Sequence, residues 1–161
     1  MQEQIEALLA EHGYEHYETS AFSKPKGQAR HNVNYWQFGD YLGIGAGSHS
    51  KLSFHDKITR ETRHKHPKAY MEAAENGNAT DNTWQVLAKD LPFEFMMNTL
   101  RLTDGFEIEL FQQRTGMPWG AISTRLTEVL NKELIVKDLK KIRPTQRGQR
   151  YLNDLLSIFL D

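Results

Sequence analysis

The order of patterned segments between Pro92 and Leu160 constrains this chain more than any single motif does. Pro92 can open a helix that carries Phe93, Phe95, Met96, Leu100 and Leu102. Asp104-Gly105 supplies a turn. Residues 106–115 read as a short second helix with Ile108 and Phe111 inward, ended by Gly116. Pro118 opens a third, with Trp119, Ile122, Leu126, Val129 and Leu130 on its apolar face. Two short strands follow, Leu134 to Val136 and Lys141 to Arg143, joined through Lys137-Asp138-Leu139-Lys140. A last helix is expected from Thr145 to Leu160, with Leu152, Leu155, Leu156, Phe159 and Leu160 on one side. Helix, helix, helix, hairpin, helix is the order of a winged-helix domain.

The first half is more broken. Ile5, Leu8 and Leu9 give residues 2–12 a helical period, stopped at Gly13. Tyr14 to Ser20 reads as a strand, and residues 21–30 as a polar loop around Pro25 and Gly27. Tyr41 to Ile44 reads as a short buried strand. LSF and KITRET flank His55-Asp56 as a hairpin, and Pro67 starts a helix to about Ala74. Residues 75–83, ENGNATDNT, read as a polar hinge. Two domains are therefore expected, residues 1–80 and 81–161.

Composition narrows the chemistry. The chain has 161 residues, 39% of them hydrophobic, and no apolar run of the ~18 residues that span a bilayer. Its first residues lack a basic n-region and an apolar h-region, so a cytoplasmic protein is expected. Cysteine is absent, which removes disulfides, thiolate nucleophiles and a self-contained iron–sulfur site. Oxygen or imidazole ligation of a metal stays open. A net charge of −1 does not mark the whole chain as a polyanion binder.

Four clusters are candidates for function. Gly43, Gly45 and Gly47 alternate in a way that fits neither a dinucleotide fingerprint nor a P-loop, and a tight turn is the ordinary reading. In His31-Asn32-Val33-Asn34-Tyr35-Trp36, an imidazole can ligate haem iron and the Tyr and Trp rings can pack on a flat porphyrin. The asparagine can hold the second imidazole nitrogen. The plainer reading makes Tyr35 and Trp36 core anchors. His49, His55, His64 and His66 match no zinc spacing and read as surface residues. From Lys132 to Arg150, seven basic residues stand against Glu133 and Asp138. That run could meet phosphates, but a solvated charged face is the ordinary reading.

YETSAFSKPKGQARHNVNYWQFGDYLGIGAGSHS, TRHKHPKAYM, LPFEFMMNTLRL and the tail ending LNDLLSIFLD together carry a resemblance across essentially the whole chain. They resemble the oxygen-independent coproporphyrinogen III oxidase-like family of radical S-adenosylmethionine proteins. His31-Asn32-x-x-Tyr35-Trp36 resembles the HNxxYW signature of the family's haem chaperone branch, which the porphyrinogen-decarboxylating members lack. The resemblance implies haem binding at His31, Asn32, Tyr35 and Trp36, with His31 as the axial ligand, and delivery of haem to a recipient haemoprotein. It implies that Gly43, Gly45, Gly47 and His49 form a wall of the S-adenosylmethionine pocket. Glu18 and Ser20 would lie near the carboxyl end of the last barrel strand.

Family members hold a 4Fe–4S cluster on a C-x3-C-x2-C motif, and this chain has no cysteine. There is room for one strand–helix unit of the family's barrel. The expected fold class is therefore α+β: the last strand–helix unit of a partial (β/α) radical SAM barrel, followed by a winged-helix-like C-terminal domain. Cluster and S-adenosylmethionine would belong to the full-length parent, and the chain is expected to be its C-terminal portion. Two other readings stay open. One is part of an oxygen-independent coproporphyrinogen III oxidase, which decarboxylates coproporphyrinogen III. The other, ranked last, is a winged-helix nucleic-acid binder. A strand cut from its barrel would expose an edge, which recruits either the missing N-terminal barrel or a second copy as a homodimer.

Overall fold

The computed structural model describes residues 2–160. Helix α1 (Gln2–Glu11) leads to strand β1 (Glu15–Glu18), β2 (Ala21–Ser23) and helix α2 (Arg30–Trp36). Strands β3 (His49–Ser53) and β4 (Ile58–Arg63) form a hairpin, followed by α3 (Pro67–Glu75) and β5 (Thr80–Gln85). Then come α4 (Leu91–Thr99), β6 (Phe106–Glu107), α5 (Ile108–Thr115), a 3-10 turn (Trp119–Ile122) and α6 (Ser123–Asn131). The chain closes with β7 (Ile135–Lys137), β8 (Lys141–Pro144), α7 (Gln146–Arg150) and α8 (Leu152–Ser157). The fold is mixed α and β, with three small antiparallel sheets ordered β1-β2, β3-β4-β5 and β6-β8-β7. Two compact units result: residues 39–88, and residues 2–38 with 89–160.

The discontinuous unit is centred on Phe95, which is fully buried. Its ring meets Phe38, Phe106 and Phe111 edge-on, at centroid distances of 5.7, 5.1 and 5.2 Å. Aromatic rings prefer this edge-to-face geometry. Gly105 turns the chain between α4 and β6. Its φ is +67°, and a Cβ there would lie 1.8 Å from the Ile142 carbonyl oxygen, so the turn fits β8 only with glycine. Thr145 caps α7, its Oγ1 accepting from the Gly148 N–H at 2.9 Å.

Strand β1 has neighbours on both edges. One side pairs with β2. On the other, the Thr19 N–H donates to the Arg101 carbonyl at 3.0 Å and the Thr103 N–H donates to the Tyr17 carbonyl at 3.2 Å. The chain just after α4 thus covers the edge that sequence reasoning left unpaired.

Several elements differ from expectation for physical reasons. The 21–30 loop begins with β2, a strand of three residues. The 75–83 hinge runs into β5, whose side chains are mostly exposed, so it carries no apolar alternation. Tyr41 to Ile44 is not a buried strand: Tyr41 alone bridges to Lys51, while Leu42 and Ile44 are 69% and 89% exposed. The expected 106–115 helix gives its first two residues to β6. The final helix breaks at Tyr151 (φ −111°, ψ 43°), dividing α7 from α8.

The 39–88 unit contains a buried cation. The Lys51 side chain is 2% exposed. Its Nζ donates to Asp40 Oδ1 at 3.0 Å and to Ser53 Oγ at 2.9 Å. Ser53 also donates its backbone N–H to Asp40 Oδ2 at 3.0 Å. Partial burial pushes the Asp40 pKa up. The hydrogen bonds from Ser53 and the charge and hydrogen bond of Lys51 outweigh that, so the carboxyl sits below its ordinary value.

Two outcomes are expected. Phe95→Ala should lower unfolding stability by about 3–5 kcal/mol, because it removes a buried ring and leaves a cavity. Urea unfolding checks this, and a loss below about 1 kcal/mol would contradict the central role of Phe95. Asp40 contributes stability that is present above the unfolded aspartate range and is lost as pH falls through the lower folded value. The stability gap between wild type and Asp40→Asn should therefore narrow below about pH 5. Parallel pH profiles of the two proteins would contradict it.

Candidate functional site

Helix α2 holds the densest polar and aromatic stretch of the chain, and it buries none of its residues. It follows Ala29 in extended conformation without a side-chain cap. It ends at Trp36, two residues before Phe38, which takes a left-handed φ of +56° and is 1% exposed. A non-glycine residue in that region is uncommon, and burial against Phe95 holds it there. The helix is therefore pinned at its C-terminal end.

His31 and Tyr35 stand one turn apart, with ring centroids 6.4 Å apart at 84°. His31 is exposed and makes no hydrogen bond or ion pair among the described residues, so its ring nitrogens are available to a ligand. Asn32 and Trp36 are a second pair one turn apart. Asn32 makes no hydrogen bond to the His31 ring, because consecutive helix residues point in different directions. The expected asparagine support for the imidazole is absent among the described residues.

Trp36 has a partner that sequence reasoning missed. The Arg101 guanidinium carbon lies 4.3 Å from the Trp36 ring centroid. Arg101 Nη2 is 3.7 Å from Glu18 Oε2, and Glu18 is 2% exposed. Ser20 Oγ donates to the other Glu18 oxygen at 2.9 Å. No sequence signal joins residues so far apart.

A cavity beside α2 does not use the motif's His, Asn, Tyr and Trp. It measures about 560 Å3 and is lined by Val33 of α2, Gln37 just after it, Glu15 and His16 of β1, and Phe106 and Lys141 of the third sheet. A second, of about 420 Å3, is bounded by Lys26, Arg30, Asn34 and Gln37. His31, Asn32, Tyr35 and Trp36 line neither of these two cavities.

In the other unit, each glycine of the alternating run has its own reason. A Cβ on Gly43 would come 2.2 Å from the His49 carbonyl oxygen, so the turn there lies directly on β3. Gly45 and Gly47 take φ values of +103° and +70°. The Gly45 N–H donates to the Tyr70 hydroxyl at 3.3 Å, and the Gly47 N–H to the His64 carbonyl at 2.9 Å. His49 begins β3 opposite Thr62. A cavity of about 340 Å3 next to the turn is lined by Gly43, Ile44, Arg63 and Tyr70. His55 faces Asp56 and His64 faces Asp81, at 3.4 and 3.3 Å. Among the described residues no three His, Cys, Asp or Glu side chains gather as a metal site.

The basic run is partly neutralised. Lys132 pairs with Glu128 at 2.7 Å, and Lys141 and Arg150 pair with Asp104 and Glu3. At the β7–β8 tip the backbone N–H groups of Lys140 and Lys141 donate to Asp138 and hold its carboxyl below the ordinary range. Arg125 is the one basic residue of α6.

Residues 86–151 match the model of the HemN C-terminal domain. The chain is 40% identical to the haem chaperone HemW of Haemophilus influenzae over 159 residues, which is 98% of this chain and 40% of that protein. It is equally 40% identical to the haem chaperone HemW of Escherichia coli, covering 98% of this chain and 41% of the relative. The chain thus spans about two fifths of the length of these curated relatives. Its fold is similar to coproporphyrinogen III oxidase (HemN) of Escherichia coli, a radical SAM enzyme. The TM-score is 0.66 at 18% identity, over 98% of this chain and 39% of that one.

Proposed function

We propose that the chain belongs to the HemW-like haem chaperone branch of the coproporphyrinogen III oxidase-like radical SAM proteins, a reading supported by 40% identity to two haem chaperones over 98% of this chain. We propose that it is the part of such a protein that contacts haem for delivery to a recipient haemoprotein. The observation that carries this is His31: an exposed imidazole, free of hydrogen bonds among the described residues, set edge-on to Tyr35 on a helix with no buried side chain.

Haem is cargo here, and the residues suit a cargo. A neutral imidazole nitrogen can ligate the iron. Tyr35 and Trp36 offer aromatic surface to a flat ring, and Asn32 offers an amide at its margin. A half-buried surface helix covers less of a macrocycle than an enclosing pocket does, so it holds haem more weakly than a closed haemoprotein site. That difference in affinity drives transfer towards the recipient.

The 4Fe–4S cluster implied by the family does not fit these residues. They include no thiolate, and no step is derived through the cluster. We read Gly43, Gly45, Gly47 and His49 as one wall of an S-adenosylmethionine pocket completed by the longer parent. Space is open where a Gly45 side chain would stand, which supports a close approach of ligand to backbone. We read residues 89–160 as winged-helix-like, from the order α4, α5, α6, β7–β8 hairpin and α7–α8. β1 with α2 we read as the last strand–helix unit of the barrel.

The oxidase reading has less support, since the relatives at 40% identity bear the chaperone name and the oxidase shares the fold at low identity. The described residues contain no helix long and apolar enough to cross a membrane.

Titration of the 161-residue chain with haemin should give a saturable one-to-one Soret shift. His31→Ala should weaken binding by about tenfold or more, equivalent to ~1.4 kcal/mol, and should move the Soret maximum. An unchanged affinity and band would remove His31 as the axial ligand.

A further inference from the structure

We propose that Arg101, tethered by Glu18, is a positioning residue that fixes the Trp36 indole of α2 for contact with a flat macrocycle. The inference rests on the reading of α2 as the haem-contacting helix, and it adds two residues outside the motif.

Helix α2 has seven residues and buries none of them. A helix that short is not stable alone, and its orientation must come from neighbours. Phe38 anchors the chain immediately after it. At Trp36 the neighbour is Arg101, whose guanidinium lies 4.3 Å from the ring centroid, within cation–π range.

Arg101 is itself held from two directions. Its backbone carbonyl accepts from the Thr19 N–H at 3.0 Å and from Thr19 Oγ1 at 3.3 Å. Its guanidinium faces the buried Glu18 carboxylate at 3.7 Å, a charge contact longer than a hydrogen bond. Glu18 is fixed in turn by β1 and by Ser20. Both anchors therefore lie at the end of β1, and the guanidinium reaches from there onto the indole.

The polar atoms of this cluster are not fully satisfied. Glu18 Oε2, Arg101 Nε and Trp36 Nε1 are all buried without a hydrogen-bond partner among the described residues. Buried polar atoms usually have partners, and each exception calls for an explanation. A pure stabilising pair would be better served by a bidentate contact. A guanidinium over an indole can also stack on its face, which an ammonium cannot.

The test is haemin titration by absorbance of wild type, Arg101→Met, Arg101→Lys and the double variant Glu18→Gln/Arg101→Met. Urea unfolding of each protein without haem runs alongside. Arg101→Met alone strands a buried carboxylate and is expected to be less stable; the double variant removes that charge and regains stability. Both Met variants should bind haem about tenfold more weakly and with a displaced Soret maximum. Arg101→Lys should recover stability without recovering the Soret position. Wild-type affinity and band in the double variant would reduce Arg101 to a structural ion pair and overturn the inference, as would full rescue of the band by lysine. A wild type that binds no haem would overturn the functional reading, and this inference with it, before any variant is compared.

Discussion

The Phe95 ring is the contact on which the larger unit depends. It belongs to α4, yet it packs against Phe38 at the end of α2, Phe106 at the start of β6 and Phe111 in α5. One side chain thus joins a segment near the start of the chain to the helices and small sheet of its second half. Phe38 can hold its left-handed backbone because Phe95 closes over its ring. The exposed motif helix ends at that point, so its position follows from a core contact made by none of its own residues.

The hydrogen bonds between β1 and the turn after α4 act in the same sense. Thr103 donates its N–H to the Tyr17 carbonyl and its Oγ1 to the His16 carbonyl. A short strand with one hairpin partner is marginal in water. Occupation of its second edge makes β1 a firm platform, and Glu18 projects from that platform. The motif helix and its supporting residues therefore share one foundation, although they are scattered along the chain.

Much of this order was legible in the sequence where apolar spacing is strong. The start of α4 near Pro92, the end of α5 at Gly116 and the hairpin β7–β8 follow from periodicity and punctuation alone. β5 was not legible, because TDNTWQ has little apolar surface to bury and pairs on one edge with β4. Tyr41 to Ile44 misled for the opposite reason: its apolar residues are exposed and its path is set by glycine turns. At the candidate site, His31, Tyr35 and Trp36 stood out by composition. Their neighbours Glu18 and Arg101 did not. A guanidinium on an indole is a tertiary contact, and helical or strand period carries no trace of it.

Such contacts change how the motif itself should be weighed. A seven-residue surface helix carrying four candidate ligand contacts would, standing alone, sample many conformations, and haem would have to select one of them. Each contact that narrows this set before haem arrives raises the fraction competent to bind and so strengthens apparent affinity without touching the iron. Phe38 restricts the C-terminal end of α2, and Arg101 restricts the indole one turn from Asn32. Neither restricts His31, which is left exposed at the N-terminal turn. On the proposed reading, the indole is held by a contact from outside the helix, whereas the proposed iron ligand His31 is exposed and meets Tyr35 of its own helix.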